Sequence, residues 1–242
     1  MHRIFLTKSS LLEHPVIIAD EKAHYLFSVL RCKPGDRIIV TDENGCSYAA
    51  QILAASKKMV TIEVAGDYKM NTESDLDIFL IQGLLKGEKM DIVIQKATEL
   101  GVTAIIPVIT ERSQLRETRK HPRWKKIAEE ASRQSGRTRV PEIFENYSFK
   151  DIFNTPGLTS GKGIIFWEQG GEKLSDVINK LSHADKIVLL IGPEGGFSEK
   201  EALLASEKGF LTATLGSRIL RAETASIAAV SVIQFALGDL GS

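Results

Sequence analysis

Cysteine is scarce in this sequence, and the cysteines that occur form no recognisable pattern. The chain has only two among its 242 residues, Cys32 and Cys46, and neither lies in a C-x-x-C motif or a metal-like cluster. The sequence leaves a disulfide between them possible, but two free thiols in a reducing cytosol agree better with this cysteine usage. The five histidines are scattered along the chain, which argues against a zinc site and predicts no bound metal.

Long apolar runs and an excess of one charge are also missing. No run approaches the roughly 18 residues of a membrane span, and the N-terminal stretch MHRIFLTKSS has neither a long apolar core nor a cleavage site. These absences predict a cytoplasmic protein with no membrane partner. The formal net charge is zero, so the overall balance does not indicate a polyanionic partner. With 43% hydrophobic residues, the composition is that of a globular chain with one large domain or two small ones.

Residues 1–72 show short strands and one helix, a pattern that predicts a small β-barrel. Arg3–Leu6 and Lys58–Val64 are typical of strands, and a hairpin lies between them at Asn44–Gly45, a dipeptide that supplies positive φ angles. The helix is expected at Glu21–Arg31. Its apolar face is expected to contain Ala23, Leu26, Phe27 and Leu30. The polar stretch 66–75 is expected to link this domain to the rest of the chain.

From residue 73 to residue 242 the pattern changes to strands that alternate with helices. The strands are expected at 76–82, 103–109, 163–168, 186–191 and 211–215. The helices are expected at 88–101, 121–136, 173–181, after Ser198 and in the last stretch of the chain. Such alternation predicts an α/β domain with a mostly parallel sheet that helices cover on both faces.

A glycine-rich corner follows one of the predicted strands, in the stretch LLIGPEGGFS. Gly192, Gly195 and Gly196 precede a helix whose start is marked by Ser198 and Glu201, a capping-box pair. Open α/β sheets bind ligands at the carboxyl ends of their strands, and glycines let a ligand approach the backbone closely. The stretch matches neither the G-x-G-x-x-G of dinucleotide sites nor the G-K-[ST] of a phosphate loop. A tight turn without a ligand is the alternative.

A second loop, near the C-terminal end, leads charged residues into an apolar helix. Gly216 is followed by Arg218, Arg221 and Glu223, and residues 225–237 are apolar nearly all round. Such a helix is expected to be buried, in part against a second subunit. The charged loop is then held near the core, where Arg221 and Glu223 either serve a site or pair with each other or with helix ends.

Positive charge is concentrated between residues 111 and 140. This segment holds ten lysines and arginines against four glutamates, although the whole chain is neutral. Such local asymmetry is typical of a nucleic-acid-binding surface. A solvated helix face explains Lys125 and Lys126 well, but it explains the loop-like stretches TERSQLRETRK and SGRTR less well.

Five segments together resemble one known family. KGEKMDIVIQKATELGV, TERS, EEASRQSGR, LLIGPEGGFS and LGSRILRAETA look like the signature segments, in the right order, of the ribosomal RNA small subunit methyltransferase E family. The stretch HYLFSVLRCKPGD also resembles that family's PUA-like barrel, so the resemblance covers most of the chain. Members of the family are S-adenosylmethionine-dependent uracil-N3 methyltransferases of the SPOUT superfamily.

The resemblance implies a fold, a substrate and an assembly. The fold is a SPOUT α/β knot, a mostly parallel sheet whose chain threads into a trefoil, preceded by a PUA-like β-barrel. The implied domains are 1–72, which binds RNA, and 73–242, which transfers the methyl group. The implied substrate is N3 of one uridine of 16S ribosomal RNA in the small ribosomal subunit, uridine 1498 in the usual numbering. The chain is expected to form a homodimer through the knot.

The resemblance also implies roles for individual residues. The catalytic roles are expected from the chemistry of the reaction: Arg221 would stabilise negative charge on the uracil, and Glu194 or Glu223 would take the N3 proton. S-adenosylmethionine would be bound by Phe166, Trp167, Glu168, Leu190, Ile191, Gly192, Pro193, Glu194, Gly195, Gly196, Leu215, Gly216, Ser217, Ile219, Leu220, Arg221, Thr224 and Ala225. RNA would be bound by Arg3, Arg31, Lys33, Arg112, Arg116 and Arg137.

Other functions stay open from the sequence. A related SPOUT enzyme would methylate another base or a ribose oxygen of ribosomal or transfer RNA. A non-catalytic RNA-binding protein would use the barrel as its binding module. A nicotinamide-dependent enzyme is disfavoured, because the dinucleotide-binding fingerprint is missing.

Overall fold

The computed structural model describes residues 1–69 and 71–241. Met70, which falls in the predicted linker, and Ser242, the last residue of the predicted second domain, lie outside the described residues. Backbone contacts divide the chain into two units, of which the first contains residues 1–73 together with 132–139 and the second contains the rest. The domain boundary between residues 72 and 73 stays a prediction, since a later segment also belongs to the first unit.

Five strands form the sheet of the first unit. They are β1 (His2–Phe5), β2 (Val16–Ala19), β3 (Arg37–Thr41), β4 (Ser47–Ala55) and β5 (Met59–Asp67), in the spatial order β1–β3–β4–β5–β2. All neighbours are antiparallel except β1 and β3, which are parallel. Side chains alternate between the two faces, so Val16 and Ile18 are buried while Ile17 is exposed. One face of the sheet therefore carries the core of the unit.

The helix of the first unit is shorter than the sequence predicts. Helix α1 (Asp20–His24) gives way to a single wider turn of π-helix at Tyr25–Val29. Ala23 and Leu26 are buried, but 41% of Phe27 is exposed, so the prediction that Phe27 shares their face is wrong. A π turn takes more residues than an α turn, and this shifts the side chains after α1 out of the 3.6-residue pattern.

Buried charges fasten residues 132–139 to the rest of the first unit. The guanidinium of Arg3 donates to the carbonyl oxygen of Gly136, at 2.6 Å, and to that of Arg137. Arg137 pairs with Glu73 at 2.6 Å, and only 6% and 14% of these two side chains are exposed. Glu73 also accepts hydrogen bonds from two backbone amides of the segment, at 2.7 and 3.1 Å. The predicted linker therefore contains a partly buried, ion-paired residue.

Eight parallel strands form the sheet of the second unit. They are β6 (Asp77–Gly83), β7 (Ala104–Ile109), β8 (Glu142–Ile143), β9 (Tyr147–Ser148), β10 (Lys162–Phe166), β11 (Glu172–Lys173), β12 (Lys186–Ile191) and β13 (Leu211–Thr214). The spatial order is β11–β13–β10–β12–β6–β7–β8, and β9 also pairs with β7. The prediction of a parallel sheet is confirmed. Residues 187–191 of β12 are all buried, as expected for a strand covered on both faces.

Five further helices accompany these strands. They are α2 (Lys89–Glu99), α3 (His121–Ser135), α4 (Leu174–Lys180), α5 (Glu199–Glu207) and α6 (Ala222–Leu237). The inner faces of α2 and α3 are apolar, and Met90, Val93, Ile94, Trp124 and Ala128 are buried there. Within the described residues, no helix combines the length and the apolar character that a membrane crossing requires.

Helix α6 is covered on one face only. It packs on α2, α4 and β12, and Ala229, Val230 and Ile233 are fully buried there. On the other side, 39% of Val232 and 68% of Phe235 are exposed. The prediction of a buried helix is therefore correct for one face within a single chain, and burial of the other face against a second subunit stays a prediction.

Replacing Glu73 by glutamine should destabilise the protein. The change leaves the charge of Arg137 buried without its partner, and breaking a buried ion pair costs about 3 kcal/mol. Urea unfolding at neutral pH measures the loss. Glu63→Gln is the matched control, because it removes the same charge from an exposed position of β5 and should leave the free energy of unfolding nearly unchanged.

The effect of Glu73→Gln should also depend on pH. Burial raises the pKa of Glu73, but the hydrogen bond and charge of Arg137 outweigh it and lower the pKa below its ordinary value of 4.5. The contribution of a carboxylate with a lowered folded pKa is present above its unfolded pKa and is lost as the pH falls through the folded one. The free energies of unfolding of wild type and variant should therefore converge as the pH is lowered. A difference that stays constant from neutral to acid pH would contradict this account.

Candidate ligand-binding and active site

A cavity opens at the carboxyl ends of three neighbouring strands of the second sheet. β10 and β12 end side by side at Phe166 and Ile191, and β13 pairs with the other edge of β10. The larger part of the cavity measures about 380 Å³ and adjoins a smaller part of about 120 Å³. Both parts are lined by Phe166, Glu168, Ile219, Leu220 and Ala225, so they form one site. A parallel sheet favours a site at this edge, because its strands all end there.

Most of the residues that the sequence assigns to donor binding lie around this cavity. Besides the shared residues, they are Ile191, Gly192, Pro193, Glu194, Gly196 and Arg221 in the larger part and Trp167, Leu215, Gly216 and Ser217 in the smaller part. Three assigned residues do not line it. Leu190 is fully buried within the sheet, Gly195 is exposed and faces Arg112, and Thr224 is exposed on α6.

Five lining residues were not among those assigned from the sequence: Lys89, Ala213, Thr214, Arg218 and Ala222. Four of them are close sequence neighbours of assigned residues. Lys89 is different, because it lies 105 residues before Glu194 at the start of α2. The parallel pairing of β6 with β12 brings the two regions together. Lys89 lies in KGEKMD, the start of one of the segments that resemble the family, and this segment is the sequence signal that points to it.

Backbone packs against backbone at the glycine corner, residues 192–196, which follows β12. A Cβ on Gly192 would lie 3.0 Å from the carbonyl carbon of Gly196, and one on Gly83, at the end of β6, would overlap Pro193. Gly196 has a φ of +67°, in the left-handed region that favours glycine. The glycines therefore permit the close approach of the β6 and β12 ends that shapes this side of the cavity.

The helix that leaves the corner begins with the capping box that the sequence predicts. The hydroxyl of Ser198 accepts from the amide of Glu201 at 3.3 Å, and the carboxylate of Glu201 accepts from the amide of Ser198 at 2.9 Å. The other oxygen of Glu201 accepts from the amide of Glu111 at 2.8 Å. The loop after β7 is thereby tied to the start of α5.

Glu194 connects the glycine corner to the start of α2. Its Oε1 accepts from the ammonium of Lys89 at 3.0 Å and from the backbone amide of Lys86 at 3.2 Å. Burial raises the pKa of Glu194, but hydrogen bonds from its own backbone, from Lys89 and from Lys86 outweigh this and lower it. Its Oε2 is buried and has no hydrogen-bond partner among the described residues. The cavity wall therefore contains an ionised carboxylate with one unpaired oxygen.

Arg221 and Glu223 lie at the start of α6 and line the larger part of the cavity. Arg221 is the exposed residue that precedes the helix, and Glu223 lies in the first turn, where the helix dipole favours a carboxylate. Oε2 of Glu223 is buried and, among the described residues, has no hydrogen-bond partner. This oxygen does not form the ion pair with Arg221 that the sequence left open.

The charges around the larger part of the cavity are mixed. The carboxylates of Glu168, Glu194 and Glu223 share it with the cations of Lys89 and Arg221. A buried oxygen without a partner costs about 1–3 kcal/mol, so the two unpaired carboxylate oxygens favour a ligand that donates to them. A ligand that carries positive charge and hydroxyl or amino groups meets that requirement.

Four of the basic residues assigned to RNA are exposed. Arg112 and Arg116 lie on the loop after β7, where Arg112 donates to the carbonyl oxygen of Gly195 at 3.2 Å. Arg31 and Lys33 are exposed on the first unit. These four side chains are accessible to phosphate groups.

The other two assigned residues, Arg3 and Arg137, are buried in the first unit. Only 6% of Arg3 and 5% of Arg137 are exposed, and their partners are backbone carbonyls and Glu73. Their contacts hold residues 132–139 in place. A count of positive charge along the sequence does not reveal this, because the partner of Arg137 lies 64 residues away.

Two family models match the chain. The model described as an RNA methyltransferase domain matches residues 72–234, and the model described as an RNA methyltransferase PUA domain matches residues 18–65. The first match contains every strand of the second sheet and all residues that line the cavity. The second contains β3, β4 and most of β5.

Individual relatives match over almost their whole length. Ribosomal RNA small subunit methyltransferase E of Bacillus subtilis (strain 168) is 33% identical over 248 residues, which cover 97% of this chain and 96% of that protein. A crystal structure of a ribosomal RNA small subunit methyltransferase E from Neisseria gonorrhoeae, bound to S-adenosyl methionine, matches with a TM-score of 0.89 and 35% identity over 99% of both chains. A Legionella pneumophila structure in complex with the bound cofactor SAM matches with a TM-score of 0.87 and 33% identity over 98% of both.

Replacing Lys89 by methionine should raise the pKa of Glu194. The ammonium of Lys89 is one of the groups that lower this pKa, and methionine keeps the length of the side chain without its charge. Carboxyl titration by carbon NMR measures the shift. Lys96→Met is the matched control, because Lys96 lies on the same helix but pairs with Glu99. Its replacement should leave the titration midpoint of Glu194 unchanged. Identical midpoints in wild type and Lys89→Met would show that the ion pair is absent in solution.

Proposed function

The chain belongs to the ribosomal RNA small subunit methyltransferase E family, and we propose that it methylates N3 of one uridine in 16S ribosomal RNA, uridine 1498 in the usual numbering. The methyl donor is S-adenosylmethionine. The observation that carries the proposal is the cavity at the ends of β10, β12 and β13, where the glycine corner meets the charged loop before α6.

The residues around the cavity fit this donor. S-adenosylmethionine supplies a methyl group on a positively charged sulfur, and it also carries an ammonium group and ribose hydroxyls. The unpaired oxygens of Glu194 and Glu223 suit such hydrogen-bond donors, and the carboxylates of the cavity complement positive charge. Phe166, Ile191 and Leu220 contribute apolar surface for a flat base.

Arg221 and Glu223 are the residues that we place at the reacting uracil. N3 must lose its proton to become a nucleophile, and the negative charge then spreads to the neighbouring carbonyl oxygens. Arg221 is a permanent cation in the cavity wall and stabilises that charge. Glu223 takes the proton, since Glu194 is already held in an ion pair with Lys89. The donor would supply the methyl group from its sulfonium sulfur, so that the S–CH3 bond breaks as the N3–CH3 bond forms and S-adenosylhomocysteine leaves as a neutral thioether. This in-line geometry lets orientation supply much of the acceleration.

RNA is held by exposed basic side chains of both units. Arg112 and Arg116 follow β7 in the second unit, and Arg31 and Lys33 belong to the part of the first unit that matches the PUA model. Contacts to phosphate position the RNA but do not read its sequence. The target uridine must be unpaired and turned out of its stack, because N3 lies on the edge that base pairing would cover.

The second unit is knotted and dimeric in this proposal. After β13 pairs with β10, the chain continues into α6, which packs back on α2 and β12. This return path is consistent with a trefoil. The open apolar face of α6, with Val232 and Phe235, is the surface that a second copy covers. The protein acts in the cytoplasm, where it meets the small ribosomal subunit.

Gly196→Ala should weaken the binding of S-adenosylmethionine by on the order of tenfold. An alanine is strained at a φ of +67°, and its Cβ would lie 2.6 Å from Oε1 of Glu168, which must then move within the cavity. Gly209→Ala is the matched control, because Gly209 also has a positive φ, of +87°, lies outside the cavity and has open space where the new Cβ would be. Calorimetric titration measures both affinities. Equal affinities in the two variants would remove the corner from the donor site.

The reaction should leave one N3-methylated uridine in 16S ribosomal RNA. Methylation at N3 blocks base pairing, so primer extension stops at that nucleotide, and mass spectrometry identifies the modified base. The stop should be absent in RNA from a strain that lacks the gene. With purified protein and that RNA, Arg221→Ala should methylate about a hundredfold more slowly. Lys125→Ala, at an exposed cation of α3 outside the cavity, is the matched control.

Other outcomes would assign the protein to the alternatives. A methylated ribose, or methylation of a transfer RNA, would indicate a related enzyme with another target. RNA binding without donor binding or methyl transfer would indicate a non-catalytic RNA-binding protein. Undiminished activity of Arg221→Ala would leave the reaction in place and remove Arg221 from its mechanism.

A further inference from the structure

One buried polar side chain connects two walls of the cavity without lining it. Gln82 is fully buried near the end of β6. Its Nε2 lies 3.0 Å from the carbonyl oxygen of Gly83, 3.3 Å from that of Gly192 and 3.5 Å from that of Ile191. Its Oε1 accepts a hydrogen bond from the hydroxyl of Ser226 on α6. The amide therefore contacts the glycine corner on one side and α6 on the other.

The surrounding carbonyl groups determine which way this amide points. Carbonyl oxygens only accept hydrogen bonds, so the NH2 end of Gln82 must face Ile191 and Gly192. Its oxygen then faces the hydroxyl of Ser226, which donates to it and also lies 2.9 Å from the carbonyl oxygen of Ala222. The reverse orientation would place oxygen against carbonyl oxygens in a buried environment. The position requires a side chain with a donor and an acceptor.

The segments that Gln82 connects are distant in sequence and close to the ligand. Gly192 lines the larger part of the cavity, as do Ala222 and Glu223, which lie about one turn before Ser226. The contacts span 110 residues on one side and 144 on the other. Leaving a buried amide unpaired is costly. Gln82 therefore favours the separation of the two walls at which both its NH2 group and its oxygen have hydrogen-bond partners.

We propose that Gln82 is a positioning residue that holds the glycine corner and the first turn of α6 at the separation required by the methyl donor. The inference rests on the proposed function, because the affinity that it explains is that for S-adenosylmethionine. Gln82 acts through Gly192 and Ser226 and is not among the residues that line the cavity.

Gln82→Glu tests the proposal because it keeps the shape of the side chain and replaces the NH2 group by oxygen. The ionised form sets negative charge against the carbonyls of Ile191 and Gly192, and donor affinity should fall by on the order of tenfold. Protonation restores a hydrogen-bond donor, and burial raises the pKa of such a carboxyl group towards the neutral range. The groups in contact with Gln82 are carbonyls and a hydroxyl, which do not titrate there.

The expected readout is a pH profile. Calorimetry with S-adenosylmethionine gives the ratio of variant Kd to wild-type Kd, and this ratio should fall towards one between about pH 8 and about pH 5.5. Gln234→Glu is the matched control, because Gln234 is a buried glutamine of α6 that donates to the carbonyl of Leu100 at 3.0 Å, outside the cavity. Its ratio should stay near one. A Gln82→Glu ratio that equals the control, or that does not change with pH, would overturn the proposal.

Hydrogen exchange gives a second readout that needs no donor. Gln82→Leu removes both ends of the connection. In this variant the amides of Gly192 and of residues 194–197 should exchange faster than in wild type, and Gln234→Glu should not have this effect. Unchanged exchange in Gln82→Leu would count against the proposal. If the wild type does not bind S-adenosylmethionine, the proposed function fails, and exchange at the corner still decides whether Gln82 holds it.

Discussion

The close approach of the β6 end to the corner after β12 is the constraint on which the site depends. A Cβ on Gly83 would overlap Pro193 of the corner, and a Cβ on Gly192 would lie 3.0 Å from Gly196 within the corner itself. Parallel pairing sets Gln82 beside Ile191, so both strands end at the same level. The chain after β12 must then turn sharply at Pro193, and the cavity is the space beside that turn. Its shape follows from backbone geometry before any charged side chain is considered.

Within that space the protein keeps polar groups in positions where a core would be apolar. Among the described residues, three polar atoms of this region are buried and have no hydrogen-bond partner: one carboxylate oxygen each of Glu194 and Glu223 and the indole nitrogen of Trp167. Such atoms destabilise the free protein by about 1–3 kcal/mol each. A ligand that pairs them removes this penalty, and any ligand that binds only the folded chain shifts the folding equilibrium. If the methyl donor binds as proposed, its affinity and the stability of the second unit are linked through these atoms.

Local sequence pattern was sufficient for the longer strands and helices of the second unit and for the corner, since each of these depends on near neighbours. The capping box at Ser198 is one example. The pattern did not predict β2 or the two-residue strands β8, β9 and β11. The pattern failed where the decisive partner is remote. The sequence assigns Arg137 to RNA binding, because nothing near it in sequence identifies Glu73 as its partner. Lys89 and Gln82 belong to the site only because parallel strands bring distant segments together, and a buried glutamine in an apolar strand has no local signature of its role.

The assignment of residues 132–139 to the first unit has a consequence for biosynthesis. A ribosome has completed β1 to β5 once residue 67 has emerged, but the segment that carries Arg137 arrives much later. Until then Glu73 lacks its partner, and Arg3 lacks the carbonyl groups that accept its hydrogen bonds. Burial of unpaired charge is unfavourable, so the nascent first unit stays incomplete while β6, β7 and most of α3 are being translated. The two units of this chain therefore mature concurrently, and the N-terminal one does not finish first.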